Sequence, residues 1–189
     1  MGIEDTRMQD RCNAVCFTGH RIIPREDRET IERALEEAIR DRINEGTDTF
    51  YVGGAWGFDM LAQQILMRIR EEIPFVQIRM VVPCEGQEEN WTLLRQHDYR
   101  QMRAAADDVI VLSPTYTKQC MHERNRYMVD HSIYCIAYYT GRAGGTRYTC
   151  DYAKSVGIPV QNVADAVWRK HREAWPYPYR DKTDDGSWK

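Results

Sequence analysis

Short apolar, β-prone runs alternate along the chain with longer stretches in which apolar residues recur every three or four positions. Six runs carry the first pattern: "NAVCFT" (13–18), "DTFYVGG" (48–54), "FVQIRMVVP" (75–83), "DVIVLS" (108–113), "IYCIAYY" (133–139) and "IPVQNV" (158–163). After the first, Ile31, Leu35, Ile39 and Ile43 fall at steps of four, one stripe of a helix that Gly46 can end. "GFDMLAQQILMRIREE" sets Phe58, Leu61, Ala62, Ile65, Ile69 and Ile73 along a second stripe. "NWTLLRQHDYRQMRAAAD" is less regular, with Trp91, Leu94 and Met102 expected to face inward. "MHERNRYMVDHS" (121–132) and "GTRYTCDYAKSVG", ending at Gly157, complete five helices.

Six strands alternating with five helices predict βαβ units. Right-handed crossovers then give an α/β, Rossmann-like, doubly wound and mainly parallel sheet with helices on both faces. The expected organisation is an N-terminal extension (1–12), one domain (13–163) and an aromatic, proline-containing tail (164–189). The prolines of "AWPYPYR" forbid a long helix in that tail.

In such a sheet all strand carboxyl ends share one edge, where ligands bind. The junctions there read "TGHR" (18–21), "GGAWGFD" (53–59), "PCEGQ" (83–87), "SPTYTKQCMHER" (113–124) and "TGRAGGT" (140–146). They are rich in glycine and in small polar or charged residues, whereas the opposite junctions read as ordinary turns. Gly53 and Gly54 permit positive φ and close backbone approach, and Gly57 opens a helix whose free N–H groups suit an anion. Asp59 falls in that helix's first turn, where it favours the dipole or can bind a ribose hydroxyl. Gly144 and Gly145 repeat the device, with Thr146 as the expected N-cap. Thr18, Gly19, His20, Arg21, Ser113, His122, Arg124 and Asn125 belong to the same edge. Arg21, Arg124, Arg142 and Arg147 are candidate phosphate partners. Glu85 is a carboxylate at the edge that can bind a sugar hydroxyl or act as a base.

The chain has 189 residues, 42% of them hydrophobic and 29% charged, with a net charge of -3. That balance suits a globular domain and argues against a dedicated nucleic-acid binder. None of the six cysteines forms a CxxC pair, so free buried thiols in a reducing cytoplasm are expected. No apolar run approaches the roughly 20 residues that span a bilayer. The histidines lack zinc spacing, so no metal and no cofactor is expected. There is no GxxxxGK[ST] loop and no GxSxG elbow.

"CFTGHR", "GGAWGFD", "PCEGQ", "CMHERNRYMVD" and "GGTRYT" together resemble the SLOG superfamily, which groups DprA/Smf proteins with the LOG hydrolases, and within it the YpsA-like branch. The resemblance spans residues 13 to 163. It implies a Rossmann-like fold and a nucleotide-derived ligand at the strand carboxyl edge. LOG enzymes release a base from a nucleoside monophosphate. Their hallmark is a Met-His-x-Arg-Lys segment and a Pro-Gly-Gly-x-Gly-Thr-x-x-Glu loop. Met121, His122 and Arg124 fit the first, with Asn125 at the lysine position. Gly144, Gly145 and Thr146 fit the second, with Ala143 in place of proline and Tyr148 or Thr149 near the glutamate position.

Glycosidic cleavage needs a carboxylate for its oxocarbenium-like transition state. Without the LOG glutamate the loop can still hold a phosphate, and Asp151 or Glu85, with Arg124, would have to supply any catalysis. Three readings stay open in order of preference: a nucleotide-binding or sensing protein, a nucleotide hydrolase of the N-glycosidase type, and a single-stranded nucleic-acid partner, which the net charge sets aside. Homo-oligomerisation through the helix faces also remains open.

Overall fold

In the computed structural model residues 13–171 are described. The expected extension (1–12) and the tail beyond residue 171 lie outside them. The elements follow in the order β1 (Ala14–Gly19), α1 (Arg28–Asn44), β2 (Thr49–Val52), α2 (Phe58–Glu72), β3 (Gln77–Val82), α3 (Leu93–Ala105), β4 (Asp108–Val111), α4 (Cys120–Asp130), β5 (Tyr134–Tyr138), α5 (Gly145–Ser155), β6 (Val160–Asn162) and α6 (Ala164–His171). The six strands form one sheet in the order β4-β3-β2-β1-β5-β6, and every pairing is parallel. The chain winds outward from β1 to β4, then crosses back to lay β5 beside β1. The order therefore reverses between β1 and β5, where such sheets open a crevice.

Side chains alternate across each strand and so divide the core in two. Val15 and Phe17 of β1, Phe50 and Val52 of β2, and Ile136 and Tyr138 of β5 face α1, α2, α3 and α6. Ala14, Cys16, Tyr51, Val81 and Cys135 face α4 and α5. The stripe Ile31, Leu35, Ile39 and Ile43 is buried as its spacing requires, as are Phe58, Leu61, Ala62, Ile65 and Ile69. Each such side chain contributes roughly 1.5–3 kcal/mol on leaving water.

The structure departs from expectation at four points. Leu94 is 69% exposed, not inward-facing. Helix α3 seats on Tyr99 and Met102, and Leu94 lies about 140° round the helix from Tyr99. Thr146 does not cap α5: the helix starts two residues earlier than such a cap would place it, with Gly144 as N-cap, and Thr146 is buried within its first turn. Gly54 and Gly57 have positive φ, but Gly53 does not. Residues 164–171 form α6, whose Ala164 and Val167 join the core against α1 before the prolines intervene. Five cysteines, all but Cys12 (outside the described residues), are free and buried.

Candidate functional site

The β2–α2 loop is a sterically closed unit. A side chain at Gly53 would put its Cβ 1.5 Å from Nη1 of Arg124, so only glycine admits the arginine there. Nη1 donates to the Gly53 carbonyl at 2.7 Å, while Nε is buried without a hydrogen-bond partner. From the other side the Asp59 carboxylate accepts from Gly53 N (2.9 and 3.1 Å) and from Ala55 N (2.8 Å). Asp59 thus ties the loop to the start of α2. Burial pushes its carboxyl up, against the pull of Arg124 and of the backbone donors. Burial likewise lowers the pKa of Arg124, opposed by Asp59. For both groups desolvation outweighs mutual attraction. Gly57, at φ +100°, lies where a Cβ would come within 2.3 Å of the Arg21 carbonyl. This second loop therefore locks onto the first, and Phe58 N donates to the His20 carbonyl (3.3 Å).

At the β1/β5 reversal lies a cleft of about 760 Å³. Four cations line it: Arg21 from the first junction, Arg142 from the fifth, and Arg147 and Lys154 along α5. Asp27, Asp151 and Asp165 stand among them, and His20, Tyr138, Tyr139 and Trp168 supply aromatic walls. Arg147 and Asp151 pair at 3.4 Å, more than half exposed, an interaction worth little in water. Burial raises the carboxyl of Asp165, opposed by Arg169. Asn162 braces the wall: its Nδ2 donates to the Tyr139 carbonyl (2.8 Å), and its Oδ1 accepts from Tyr139 N (2.9 Å) and Ala164 N (3.3 Å).

A smaller hollow of about 270 Å³ adjoins it, sharing Arg21 and Ile22 and adding Arg28, Trp56, Gly57 and Asp98. The Arg95 guanidinium lies over the Trp56 ring at 4.5 Å.

Of the residues expected at the edge, His20, Arg21 and Asp151 line the large cleft, and Thr18 and Gly19 lead into it. Gly53, Asp59 and Arg124 form the closed loop unit, and Gly145 stands beside the Asn125 side chain. His122 packs edge-on against Tyr148 at 4.3 Å on the α4–α5 surface. Glu85 and Ser113 lie together elsewhere: Glu85 N donates to the Ser113 carbonyl (3.2 Å), and the Glu85 carboxylate accepts from Arg103 (3.4 Å). They cap β3 and β4, two and three strands from β1, and with about 4.8 Å per strand they lie roughly 10–15 Å from the reversal. Asp151 is therefore the one of the two candidate catalytic carboxylates that lines the cleft. Sequence reasoning missed Tyr139, Asn162, Asp165 and Trp168. The spacing of Val163, Ala164 and Val167 was the available sign that a helix would close this end.

The model of the YspA SLOG family matches residues 23–159. The chain belongs to this family. Among its relatives this SLOG protein is 28% identical over 149 residues to the "Uncharacterized SPbeta prophage-derived protein YoqJ" of Bacillus subtilis, covering 72% of this chain and 82% of the relative. It is 26% identical over 127 residues to UPF0398 protein BH1768 of Halalkalibacterium halodurans, covering 66% and 67%. Its fold matches DNA processing protein A (DprA) of Streptococcus pneumoniae with a TM-score of 0.53 at 16% identity. That match covers 89% of this chain and 58% of the pneumococcal chain. It also matches DprA of Helicobacter pylori with a TM-score of 0.54 at 17% identity, covering 89% and 77%. The structure of the H. pylori protein is described by its single-stranded DNA binding mode. The exclusion of nucleic acid on net charge is therefore corrected. A charge of -3 sums over the whole chain and says nothing of one edge, where Arg21, Arg28, Arg142, Arg147 and Lys154 stand among Asp27, Asp98, Asp151 and Asp165. Among the described residues no helix is long and apolar enough to cross a membrane, and no group of three metal-ligating side chains occurs.

Proposed function

We propose that the chain binds a nucleotide or nucleotide-derived metabolite in the cleft at the β1/β5 reversal, as a binding or sensing protein. The observation that carries this reading is the cleft itself. Its 760 Å³ suits a molecule of nucleotide size. Arginines reach it from two strand ends for a phosphate, and aromatic walls stand beside them for a base. The free buried thiols agree with a reducing, cytoplasmic setting.

The test is a thermal-shift panel of mono- and dinucleotides, each on the wild type and on R142A/R147A. A ligand at 100 times its Kd adds about 2.7 kcal/mol to stability. The wild type should show such a shift with at least one nucleotide, and the double variant should lose it. A panel without any shift defeats the reading.

A second reading, single-stranded DNA binding, is favoured by Trp56 and its covering Arg95 beside the smaller hollow, together with the fold shared with H. pylori DprA. Bases stack on such aromatic platforms, and backbone phosphates bind nearby cations. Fluorescence anisotropy with an oligothymidylate should then give binding that falls steeply between 50 and 200 mM salt and is lost in W56A. Salt-independent anisotropy would exclude it.

A further inference from the structure

His20 stands at the seam between the ends of β1 and β5. Its backbone N–H donates to the Tyr138 carbonyl at 3.2 Å, extending the β1–β5 ladder by one residue. Its ring lies edge-on to Tyr138, with 5.9 Å between centroids, and tilted against Tyr139 at 5.8 Å. Its Nε2 accepts a hydrogen bond from the backbone N–H of Thr140 at 3.1 Å. An imidazole nitrogen accepts only when it carries no proton, so this bond needs the neutral ring with its hydrogen on Nδ1. Beyond Thr140 the chain turns through Gly141, at φ 86°, and brings Arg142 to the cleft.

We propose that His20 is a positioning residue: as the neutral ring it latches the 139–142 loop through Thr140 and holds Arg142 at the cleft, and on protonation it releases the loop and weakens anion binding. The proposal rests on the nucleotide-binding reading for its consequence, but the latch exists independently of any ligand. Protonation turns Nε2 from acceptor into donor, facing a second donor across 3.1 Å.

The charged groups that line the cleft with His20 are Arg21 on its own loop, Asp27 at the start of α1, Arg142 on the latched loop, Arg147, Asp151 and Lys154 on α5, and Asp165 on α6; of these Arg142 acts measurably on the ring. From α2, Phe58 meets the His20 backbone, while the next residue, Asp59, turns its carboxylate to Gly53 and Ala55. Burial first, and Arg142 second, hold the His20 pKa below the ordinary histidine value. The latched state is therefore favoured at neutral pH and lost as pH falls through this lowered value. Direct contact of an imidazolium with a phosphate would have the opposite sign, binding growing stronger on acidification.

Two measurements decide it. In ¹⁵N NMR of the full chain, the neutral His20 should be the Nδ1–H tautomer, and the Thr140 amide should titrate with His20 between pH 7.5 and 5. The Nε2–H tautomer, or a Thr140 amide indifferent to His20, overturns the latch whether or not nucleotides bind. Calorimetric titration with AMP at pH 7.5 and at the lower pH where the NMR titration shows His20 protonated then compares wild type with H20Q, whose amide oxygen reaches the Nε2 position without titrating. The AMP phosphate itself gains a proton near pH 6, and H20Q measures that contribution. Wild-type affinity should drop about fivefold more than that of H20Q, the factor one ordinary hydrogen bond is worth. Equal drops, or a wild type that gains affinity, overturn the proposal. Absence of AMP binding at both pH values counts against nucleotide binding, with the NMR titration still deciding the latch.

Discussion

Replacing Arg124 by Met should destabilise the protein in a pH-dependent way. The side chain is 8% exposed, and its guanidinium holds the Gly53 carbonyl at 2.7 Å. A hydrogen bond from a charged donor is worth roughly 1.5–3 kcal/mol net. Arg124 also favours the ionised form of Asp59, which is 6% exposed and keeps its bonds from Gly53 and Ala55. The two groups are not in ion-pair contact, so what the substitution removes is the hydrogen bond to Gly53 and a through-space attraction to Asp59. Asp59 keeps its three backbone contacts, and the lost attraction puts the expectation at the upper end of the hydrogen-bond range, about 3 kcal/mol at pH 7. For a chain of this size that is a fall in Tm of roughly 6–12 °C.

The sign with pH follows from Asp59. Its folded-state pKa is already raised, so its burial as an anion becomes a penalty as pH rises through that value. Without Arg124 the pKa rises further and the penalty at neutral pH grows. The loss in R124M should therefore be larger at pH 7 than at pH 4, and D59N in the R124M background should recover part of it at pH 7. Urea denaturation of the single and double variants at both pH values measures this. A loss below about 1 kcal/mol, or one equal at the two pH values, refutes the assignment of Arg124 and Asp59 as a buried, mutually supporting pair.

Gly57→Ala should cost roughly 2–3 kcal/mol, because a Cβ at φ +100° would press on the Arg21 carbonyl at 2.3 Å; chemical denaturation measures it, and a cost under about 0.5 kcal/mol contradicts the packing of the two loops. The Cys150 thiol is pushed up to about 12, chiefly by burial, so iodoacetamide at pH 8 should leave it unmodified in the native protein and alkylate it after denaturation. Mass spectrometry reads both states, and rapid native labelling would show that the α5 face opens to solvent.

The fold was largely legible because six β-prone runs and clean helix stripes leave few topologies open. Ile31 to Ile43 and Phe58 to Ile69 were placed correctly since period and burial coincide there. Leu94 misled because α3 carries few apolar residues, and its contacts are set by Tyr99 and Met102 instead of by a stripe. The carboxyl-edge junctions could be read as a group, but which of them adjoin depends on strand order. Only the order β4-β3-β2-β1-β5-β6 separates Glu85 and Ser113 from the reversal and brings α6 with Trp168 and Asp165 to it. Asn162 was invisible for a related reason: its value lies in three backbone contacts made at the end of a three-residue strand, and no spacing rule announces them.

The steric lock between Gly53 and Arg124 also constrains how the sequence can drift. A methyl group at position 53 and a guanidinium at position 124 claim the same space, so position 53 cannot gain a side chain while the arginine stays where it is. Relatives that carry a side chain at the first should lack the long cation at the second, the arginine having gone before the glycine.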